Sequence, residues 1–269
     1  MPSLPLNDGH TIPQVGFGLW QIADAARVTE TALGLGYRLI DGAAIYGNEV
    51  GMGQGIAAAG LPRDAIFVTT KVWNDRQGRD STIAAVGESL DRLRLDRLDL
   101  VLIHWPCAPR NRYVETWRAL ITLREQGAVT SIGVSNFSVE QIDRLTAETG
   151  VTPALNQIEL HPGLQQPALR AAHAARGIVT QSWTPLGQGR HFGHPVVQAI
   201  ARRLGCSPAQ VILRWHLGLG LSVIPRSSRA EGLAQNLAAA DAALGSQDIA
   251  DMSGLDTATR LGPDPAHFG

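Results

Sequence analysis

Short apolar runs alternate with stretches of helical periodicity along almost the whole chain. Unbroken apolar runs such as residues 100–103 predict strands of a parallel sheet that helices cover. Segments such as residues 25–35 place apolar residues three and four positions apart, as an amphipathic helix does. Strands are predicted at 15–20, 37–41, 66–73, 98–105, 129–134, 154–160, 178–183 and 221–225. Helices are predicted at 25–35, 49–59, 81–93, 113–126, 139–149, 167–175 and 230–240, with two more within 195–217.

This order gives eight strand–helix pairs with an extra helix before the last pair, which predicts the α/β class and a (β/α)8 TIM barrel. A doubly wound sheet is the alternative, but the first strand lacks a G-x-G-x-x-G turn. No linker rich in Pro, Gly or Ser interrupts the series, so residues 1–269 are expected to form one domain. Residues 4–12 predict a β-hairpin cap, in which Asp8 and Gly9 would supply the positive φ angles of a tight primed turn.

The composition is typical of a soluble globular protein, with 44% hydrophobic and 17% charged residues. A net charge of −1 and a pI near 6.7 give no broad basic field. We therefore expect neither nucleic acid nor an anionic membrane surface as a partner. Cys107 and Cys206 lie in neither a CxxC nor a zinc-like spacing, so they are expected to be reduced thiols of a cytoplasmic protein. No signal-peptide pattern and no apolar run of about eighteen residues occurs in the sequence.

Lys71 is the single lysine beside twenty-two arginines, and it lies in the apolar run 66–73. Lysine is a compact point charge whose proton affinity responds to its surroundings, whereas arginine is broad, planar and always charged. A chance lysine at a strand end is the alternative. The placement favours a task at Lys71 that a guanidinium cannot perform.

Chemically distinctive residues lie at or just beyond the carboxyl ends of most of the predicted strands, at the rim where a barrel of this kind binds its ligands. They are Asp41, Lys71, His104, Ser135, Asn136, Gln157, Glu159, His161, Trp183, Arg226 and Arg229. Taken singly, several have structural explanations: His104 as a core histidine, Asp41 as a helix cap, and Gln157 as a strand-end hydrogen bonder. Together on one rim they favour a catalytic mouth.

Tyr46 lies in the loop after Asp41, where a packing lid is the structural alternative to a chemical role. A neighbouring Lys71 ammonium would favour the phenolate, so we expect it to lower the pKa of Tyr46 from about 10 and make the phenol an acid near neutral pH. Asp41 would keep the buried lysine charged, and His104 would hydrogen-bond the oxygen that receives the proton. Such a relay suits protonation of a developing alkoxide.

Two further groups indicate a bound nucleotide. Trp183 supplies an indole that could stack on a planar ring beside carboxamide-binding groups at Ser135, Asn136 and Gln157, although an indole that merely fills the mouth is the alternative. The segment 226–229, Arg-Ser-Ser-Arg, precedes a predicted helix, so guanidinium groups, hydroxyls and a helix N-terminus converge on a spot suited to a phosphate. A solvated charged loop is the alternative there.

These residues resemble the aldo-keto reductase family, most closely its bacterial 2,5-diketo-gluconate reductase-like branch. The likeness spans nearly the whole chain, and its motifs occur in the family's order and spacing. The matching stretches are 16–20, 37–41, 46–49, 70–74, 102–106, 131–137, 156–162, 182–188 and 223–227.

The resemblance implies NADPH-dependent reduction of a ketone or aldehyde, with a catalytic tetrad of Asp41, Tyr46, Lys71 and His104. It implies that NADPH lies across the rim and that a small carbonyl compound, diketone or keto-sugar is the substrate. Members of the family are often monomers, which is the expectation here. The implied cofactor contacts are Gly18, Leu19, Trp20, Asp41, Ser135, Asn136, Gln157, Trp183, Leu186, Gln188, Arg226, Ser227, Ser228, Arg229, Gln235 and Asn236. The expected substrate contacts are Trp20, Trp73, His104 and Trp105.

Four departures from the family pattern bear on these expectations. Gly163 replaces an aromatic residue that often follows the strand-six His-Pro, and the loop 107–112 and the tail are short, so a more open pocket is expected. Gly42 replaces the usual threonine after the tetrad aspartate, which predicts looser support of Asp41. Arg226 stands where the family has a lysine, and charge and donors suffice there for phosphate. Gly232 replaces an arginine that helps grip the 2′-phosphate, so weaker selectivity for NADPH is expected and NADH is a second candidate cofactor.

Two other functions compete with a reductase. A non-catalytic, cofactor-binding regulatory subunit is the first, and the intact tetrad argues against it. A metal-dependent hydrolase using Asp41, His104 and His161 is the second. It would leave Lys71 without a task, and no His-x-His occurs on an early strand.

Overall fold

The computed structural model describes residues 2–269. Strands β1 and β2 form a separate antiparallel hairpin, and eight further strands alternate with helices. The strands are β1 (Ser3–Pro5), β2 (Thr11–Pro13), β3 (Phe17–Gly18), β4 (Leu39–Asp41), β5 (Phe67–Val72), β6 (Leu98–Ile103), β7 (Val129–Ser135), β8 (Leu155–Glu159), β9 (Val179–Trp183) and β10 (Ser222–Val223). The helices are α1 (Ala25–Gly34), α2 (Glu49–Ala58), α3 (Arg79–Leu93), α4 (Tyr113–Glu125), α5 (Val139–Thr149), α6 (Pro167–Ala175), α7 (Pro195–Leu204), α8 (Pro208–Gly218), α9 (Ala230–Leu237) and α10 (Ser246–Ser253).

The eight strands β3 to β10 pair in sequence order, and every pair is parallel. The first and last strands are joined through Gly16, whose N–H donates to the Val223 carbonyl (2.8 Å), and through the Val223 N–H, which donates to the Gln14 carbonyl (2.9 Å). Helices α7 and α8 lie between β9 and β10. The predicted (β/α)8 barrel with its hairpin and extra helix is confirmed, and the carboxyl ends of the strands share one rim.

Helix boundaries follow from local chemistry that the sequence displays. Helix α5 begins after Ser138, whose hydroxyl and the Gln141 side chain form a reciprocal capping box. It ends at Gly150, whose φ of 72° suits glycine. Helix α8 begins with a second capping box at Ser207, followed by a proline in the first turn.

The hairpin closes the amino end of the barrel, but its turn differs from the primed turn that the sequence predicted. Of the two expected positive φ angles, only that of Gly9 (89°) is present. The Leu6 N–H donates to the His10 carbonyl (2.9 Å), which leaves a three-residue loop with glycine in the left-handed position. Leu6 and Ile12 then pack with interior side chains such as Leu155, at the start of β8.

Helix α10 is absent from the predicted elements because its eight residues bury only Asp248 and Met252, too few for a periodic apolar pattern. Within residues 2–269, no helix is long and apolar enough to cross a bilayer.

Two histidines join the helical layer to the barrel wall, and both are fully buried. His173 on α6 contacts the Asn156 amide (3.0 Å) and the Thr180 hydroxyl (2.8 Å) through its two ring nitrogens. His216 on α8 contacts the Ser182 hydroxyl (3.1 Å) and the Pro185 carbonyl (3.0 Å). Burial lowers the pKa of His173 to about 4 and that of His216 to about 3.

Acid should therefore destabilise the fold well before the carboxylates titrate. Between about pH 6.5 and pH 4 the unfolded chain takes up a proton at each of these histidines while the folded chain does not. Each histidine should remove about 1.4 kcal/mol of unfolding free energy per pH unit in that window. Urea unfolding across this range should show a shallower pH slope for His216→Gln, with the exposed His10→Gln as the matched control. Equal slopes in the wild type and His216→Gln would contradict the assignment.

Candidate active site

The centre of the rim is a buried lysine with three oxygen partners. Lys71 on β5 donates from Nζ to Asp41 Oδ2 (2.6 Å), the Gly42 carbonyl (2.9 Å) and the Tyr46 hydroxyl (3.3 Å). Its side chain is 0% exposed. The tyrosine comes from a single 3₁₀ turn directly after β4, so adjacent strands bring the three tetrad residues together. The predicted Asp–Lys–Tyr contact is present.

Electrostatics keep this lysine charged. Burial alone lowers the pKa of Lys71, but the Asp41 carboxylate and the Tyr46 hydroxyl oppose that effect through charge and hydrogen bonding. The net effect raises the pKa of Lys71 above its ordinary value. Position 71 therefore carries a permanent ammonium at neutral pH.

The prediction that this ammonium lowers the pKa of Tyr46 below its ordinary value is wrong for the free protein. Burial raises the pKa of Tyr46, the Lys71 ammonium lowers it, and the Asp41 carboxylate raises it again, with an upward net direction. The phenol therefore keeps its proton throughout the neutral pH range and can donate it. The Lys71 ammonium lies 3.3 Å from the Tyr46 hydroxyl, where its charge favours the phenolate form.

His104 follows β6 and faces the same group. Its ring centroid lies 5.8 Å from that of Tyr46 and 4.9 Å from the ring of Trp73. Burial and the nearby Lys71 ammonium lower the pKa of His104 well below its ordinary value, so the imidazole is neutral. Its Nδ1 is buried without a partner.

Asp41 is well supported despite the glycine that follows it. Gln157 reaches across from β8 and donates from Nε2 to Asp41 Oδ1 (2.7 Å), while the other carboxylate oxygen accepts from Lys71. A Cβ at Gly42 would lie 2.8 Å from the sulfur of the buried Met52, so a larger residue would need that side chain to move. The expectation of loose support at Asp41 is corrected.

The groups expected to hold a carboxamide form a connected cluster. The Ser135 hydroxyl donates to the Gln157 carbonyl (2.8 Å), and Asn136 Nδ2 donates to the His104 carbonyl (3.1 Å) and to the Ser135 hydroxyl (3.0 Å). The Trp183 indole N–H donates to Asn136 Oδ1 (2.8 Å). The rim thus places an indole beside amide donors and acceptors, a donor set that fits a nicotinamide.

The segment after β10 offers the expected cationic surface. Arg226 is exposed and reaches Gln21 Oε1 (2.7 Å) and the Trp20 carbonyl (3.3 Å) across the rim. Helix α9 begins after Arg229 without a side-chain cap, so backbone N–H groups of its first turn remain available. Two guanidinium groups beside an uncapped helix N-terminus fit a phosphate.

Gly232 has a local structural reason. A Cβ at this position would lie 2.4 Å from the Ser227 hydroxyl, which instead accepts a hydrogen bond from the Arg229 N–H (3.2 Å). The first turn of α9 therefore has room for Ser227 in place of a long cationic side chain.

Aromatic side chains line one side of the mouth. Trp20 is 50% exposed and its ring centroid lies 5.0 Å from that of Tyr46. Phe268 near the end of the chain packs on Trp105 (4.6 Å between centroids) and Trp73 (6.3 Å). No sequence pattern indicates this role for Phe268, because it lies far along the chain from the strands whose rim it covers.

The remaining predicted contacts are spread along the rim loops. Leu19 is fully buried in the core, so its backbone rather than its side chain lies at the rim. Gln235 is exposed and contacts Glu231, whereas Asn236 is buried on the same helix. Gly18 ends β3, Leu186 and Gln188 follow β9, Ser228 follows β10, and Asn236 lies on α9 with Gln235. Their contacts with a cofactor stay a prediction.

The residues considered for a metal-dependent hydrolase do not form one site. Asp41 is bound by Lys71 and Gln157, while His161 contacts Glu159 (3.0 Å). Within residues 2–269, no group of three His, Cys, Asp or Glu side chains could hold a metal ion.

The chain is similar to known proteins over nearly its whole length. The family model described as "Aldo/keto reductase family" matches residues 14–257. An aldo-keto reductase of Mycolicibacterium smegmatis is 51% identical over 99% of this chain and 98% of its own length. Methylglyoxal reductase DkgA of Escherichia coli K12 is 44% identical, with 99% and 98% covered. The crystal structure of a Gox0644 mutant in complex with NADPH superposes with a TM-score of 0.95, at 45% identity, over 100% of this chain and 98% of that one.

Substitution of Lys71 by an uncharged residue should lower the stability of the fold. Lys71→Met would leave the Asp41 carboxylate buried beside Gln157 alone, which should cost about 3–5 kcal/mol of unfolding free energy. The double variant Asp41→Asn/Lys71→Met should recover much of that loss, since no unpaired charge remains. Urea unfolding of the two single variants and the double variant measures the coupling, and strictly additive losses would mean that the pair does not interact.

Proposed function

The chain belongs to the aldo/keto reductase family, and we propose that its rim site reduces an aldehyde or ketone to an alcohol with NADPH, using Asp41, Tyr46, Lys71 and His104. Family membership, the DkgA relatives and the NADPH-bound structural neighbour support NADPH-dependent carbonyl reduction. The observation that carries the residue assignment is a fully buried ammonium, paired with a carboxylate and 3.3 Å from a phenol.

The protein's own residues handle the proton. Tyr46 donates its proton to the carbonyl oxygen as negative charge develops there. Lys71 stabilises the resulting phenolate, and Asp41 holds the ammonium in place and charged. Neutral His104 hydrogen-bonds the same oxygen and orients the carbonyl group. When bound, NADPH supplies the hydride that reduces the carbonyl carbon.

The cofactor would be held along the rim by the clusters described above. Ser135, Asn136 and Gln157 would bind the carboxamide, and Trp183 would stack on the nicotinamide ring. Around the phosphates, the binding groups would be Arg226, Ser227, Ser228 and Arg229, with further contacts from Gly18, Leu19, Trp20, Leu186, Gln188, Gln235 and Asn236.

The substrate class we propose is a small carbonyl compound, a diketone or a keto-sugar. Trp20, Trp73 and Trp105 provide ring faces beside Tyr46 and His104, which suit either apolar carbon or a stacked sugar. Relatives named methylglyoxal reductase support a small dicarbonyl substrate. NADPH oxidation with methylglyoxal, diketones and keto-sugars tests this choice, and binding without turnover would instead indicate a regulatory subunit.

The setting of the reaction is also a proposal. We propose one barrel domain over residues 1–269 that works as a monomer in the cytoplasm and needs no nucleic acid. The free thiols of Cys107 and Cys206 support a reducing compartment. Light scattering after size-exclusion chromatography tests the oligomeric state.

Tyr46→Phe should abolish carbonyl reduction while leaving NADPH affinity within about twofold, because only the proton donor is removed. Turnover is followed as NADPH oxidation, and affinity as quenching of tryptophan fluorescence. Tyr113→Phe is the matched control, because its hydroxyl contacts Arg144 on helix α5. Normal reduction by Tyr46→Phe would show that this residue is not the proton donor.

In the wild type, reduction requires protonated Tyr46, whose pKa is raised. The rate of reduction should therefore stay constant through neutral pH and fall only above about pH 10.

Arg226→Ala and Arg229→Ala should weaken NADPH binding more than NADH binding. Each arginine can give a bidentate, charge-assisted contact to the 2′-phosphate, so we expect a loss of about ten-fold or more for NADPH and a smaller loss for NADH. Fluorescence titration with both nucleotides makes the comparison, and the exposed Arg118→Ala on α4 serves as the control. Equal losses for the two nucleotides would mean that these arginines do not contact a 2′-phosphate.

A further inference from the structure

The carboxylate of Glu159, at the end of β8, is fully buried and takes no part in the proton relay. Its Oε1 accepts from the Leu261 N–H (2.6 Å) and contacts His161 Nε2 (3.0 Å). Its Oε2 accepts from the Gly262 N–H (3.2 Å) and lies 3.7 Å from Arg260 Nη1. Three of its four partners therefore belong to one short segment near the end of the chain.

That segment, residues 260–262, lies within a tail, residues 257–269, which crosses the mouth of the barrel. Upstream of residues 260–262, the Thr257 and Thr259 N–H groups donate to the Gly163 carbonyl (3.3 and 3.0 Å). Gly262 itself lies so close to Trp183 that a Cβ would approach the indole to 2.5 Å. Beyond it, Phe268 covers Trp73 and Trp105. A Cβ on the terminal Gly269 would lie 2.5 Å from the Cys107 sulfur.

The burial of Glu159 is coupled to the docking of the tail. A carboxylate removed from water is costly unless charged or hydrogen-bond donors replace the water. Here burial raises the pKa of Glu159, but His161 and the tail N–H groups lower it, and the net direction is downward. If the tail lifts away, the carboxylate loses most of these donors, so the closed tail is favoured as long as Glu159 is charged.

We propose that Glu159 is a positioning residue for the carbonyl reduction, acting by clamping the tail against the nicotinamide-stacking Trp183 and over the Trp73–Trp105 wall. The inference rests on the proposed function. On this proposal, the buried carboxylate sets the width of the substrate mouth, because it holds the tail in the position where Gly262 contacts Trp183 and Phe268 covers Trp73 and Trp105.

The first test is trypsin cleavage at the Arg260–Leu261 bond, whose N–H is held by Glu159. Glu159→Gln keeps the size of the side chain but removes its charge, so we expect release of the last nine residues about ten- to one-hundred-fold faster than in the wild type. Mass spectrometry identifies the fragment, and thermal melting confirms that the barrel is folded. Glu148→Gln is the matched control, because its carboxylate pairs on the surface with Arg118 and Arg144.

A second variant disturbs the same contact from the other side. Gly262→Ala places a methyl group against the Trp183 indole, so it should also speed cleavage at Arg260 while Glu159 stays intact. A folded Glu159→Gln protein with wild-type cleavage would overturn the proposal. If Glu159→Gln fails to fold, Gly262→Ala tests the proposal instead, and cleavage of this variant at the wild-type rate would overturn it.

Selectivity separates positioning from mere support of the fold. With the tail released, the ratio of kcat/KM for methylglyoxal over 2-naphthaldehyde should fall roughly ten-fold in both variants, because Phe268 no longer narrows the mouth against a bulky ring. A variant ending at Arg260 sets the limit of this change. Faster cleavage with an unchanged ratio would show that the clamp does not act on the reaction. A wild type that reduces no carbonyl compound would defeat the proposed function, yet the trypsin result would still test the clamp.

Discussion

The ion pair between Lys71 and Asp41 is the interaction on which the rest of the site depends. Both side chains are removed from water, so each charge is tolerable only because the other is 2.6 Å away. The Gly42 carbonyl and the Tyr46 hydroxyl complete the lysine's hydrogen bonds and fix the ammonium against the phenol. The same charge helps to keep His104 neutral. One buried cation thus acts on the protonation state of two partners.

The barrel supplies the rigidity that this pair requires. Ser135, Gln157, Gln181 and Ser222 occupy paired positions on successive strands β7 to β10. Gln157 donates from Nε2 to Asp41 and to Gln181 Oε1 (2.7 Å each), and Gln181 donates onward to the Ser222 hydroxyl (3.0 Å). Because a carboxylate only accepts, this chain of donors can run in one direction only. The network compensates for Gly42, where a direct side-chain support is missing.

The fold could be predicted from the sequence because period-two and period-3.6 patterns are local. The proximity of Asp41, Tyr46 and Lys71 could be predicted because strand ends converge in a parallel barrel. Three features could not be predicted from local patterns. The turn at Gly9 depends on hairpin register, which the Asp8–Gly9 dipeptide alone does not set. The support of Asp41 by Gln157 spans 116 positions in the sequence. The pKa of Tyr46 depends on the balance of burial against charge, and burial is a property of the folded molecule. The roles assigned to the rim residues remain predictions.

The same geometry explains why position 71 holds a lysine in a chain that otherwise carries twenty-two arginines. At Arg226 the guanidinium is exposed, so its planar shape and five N–H donors are an advantage for binding a phosphate. At position 71 three oxygens converge on a single nitrogen within 3.3 Å in a space closed to water. A planar fork there would bury donors without acceptors and push the phenol away. The composition of the chain therefore marks the one place where a cation must be small.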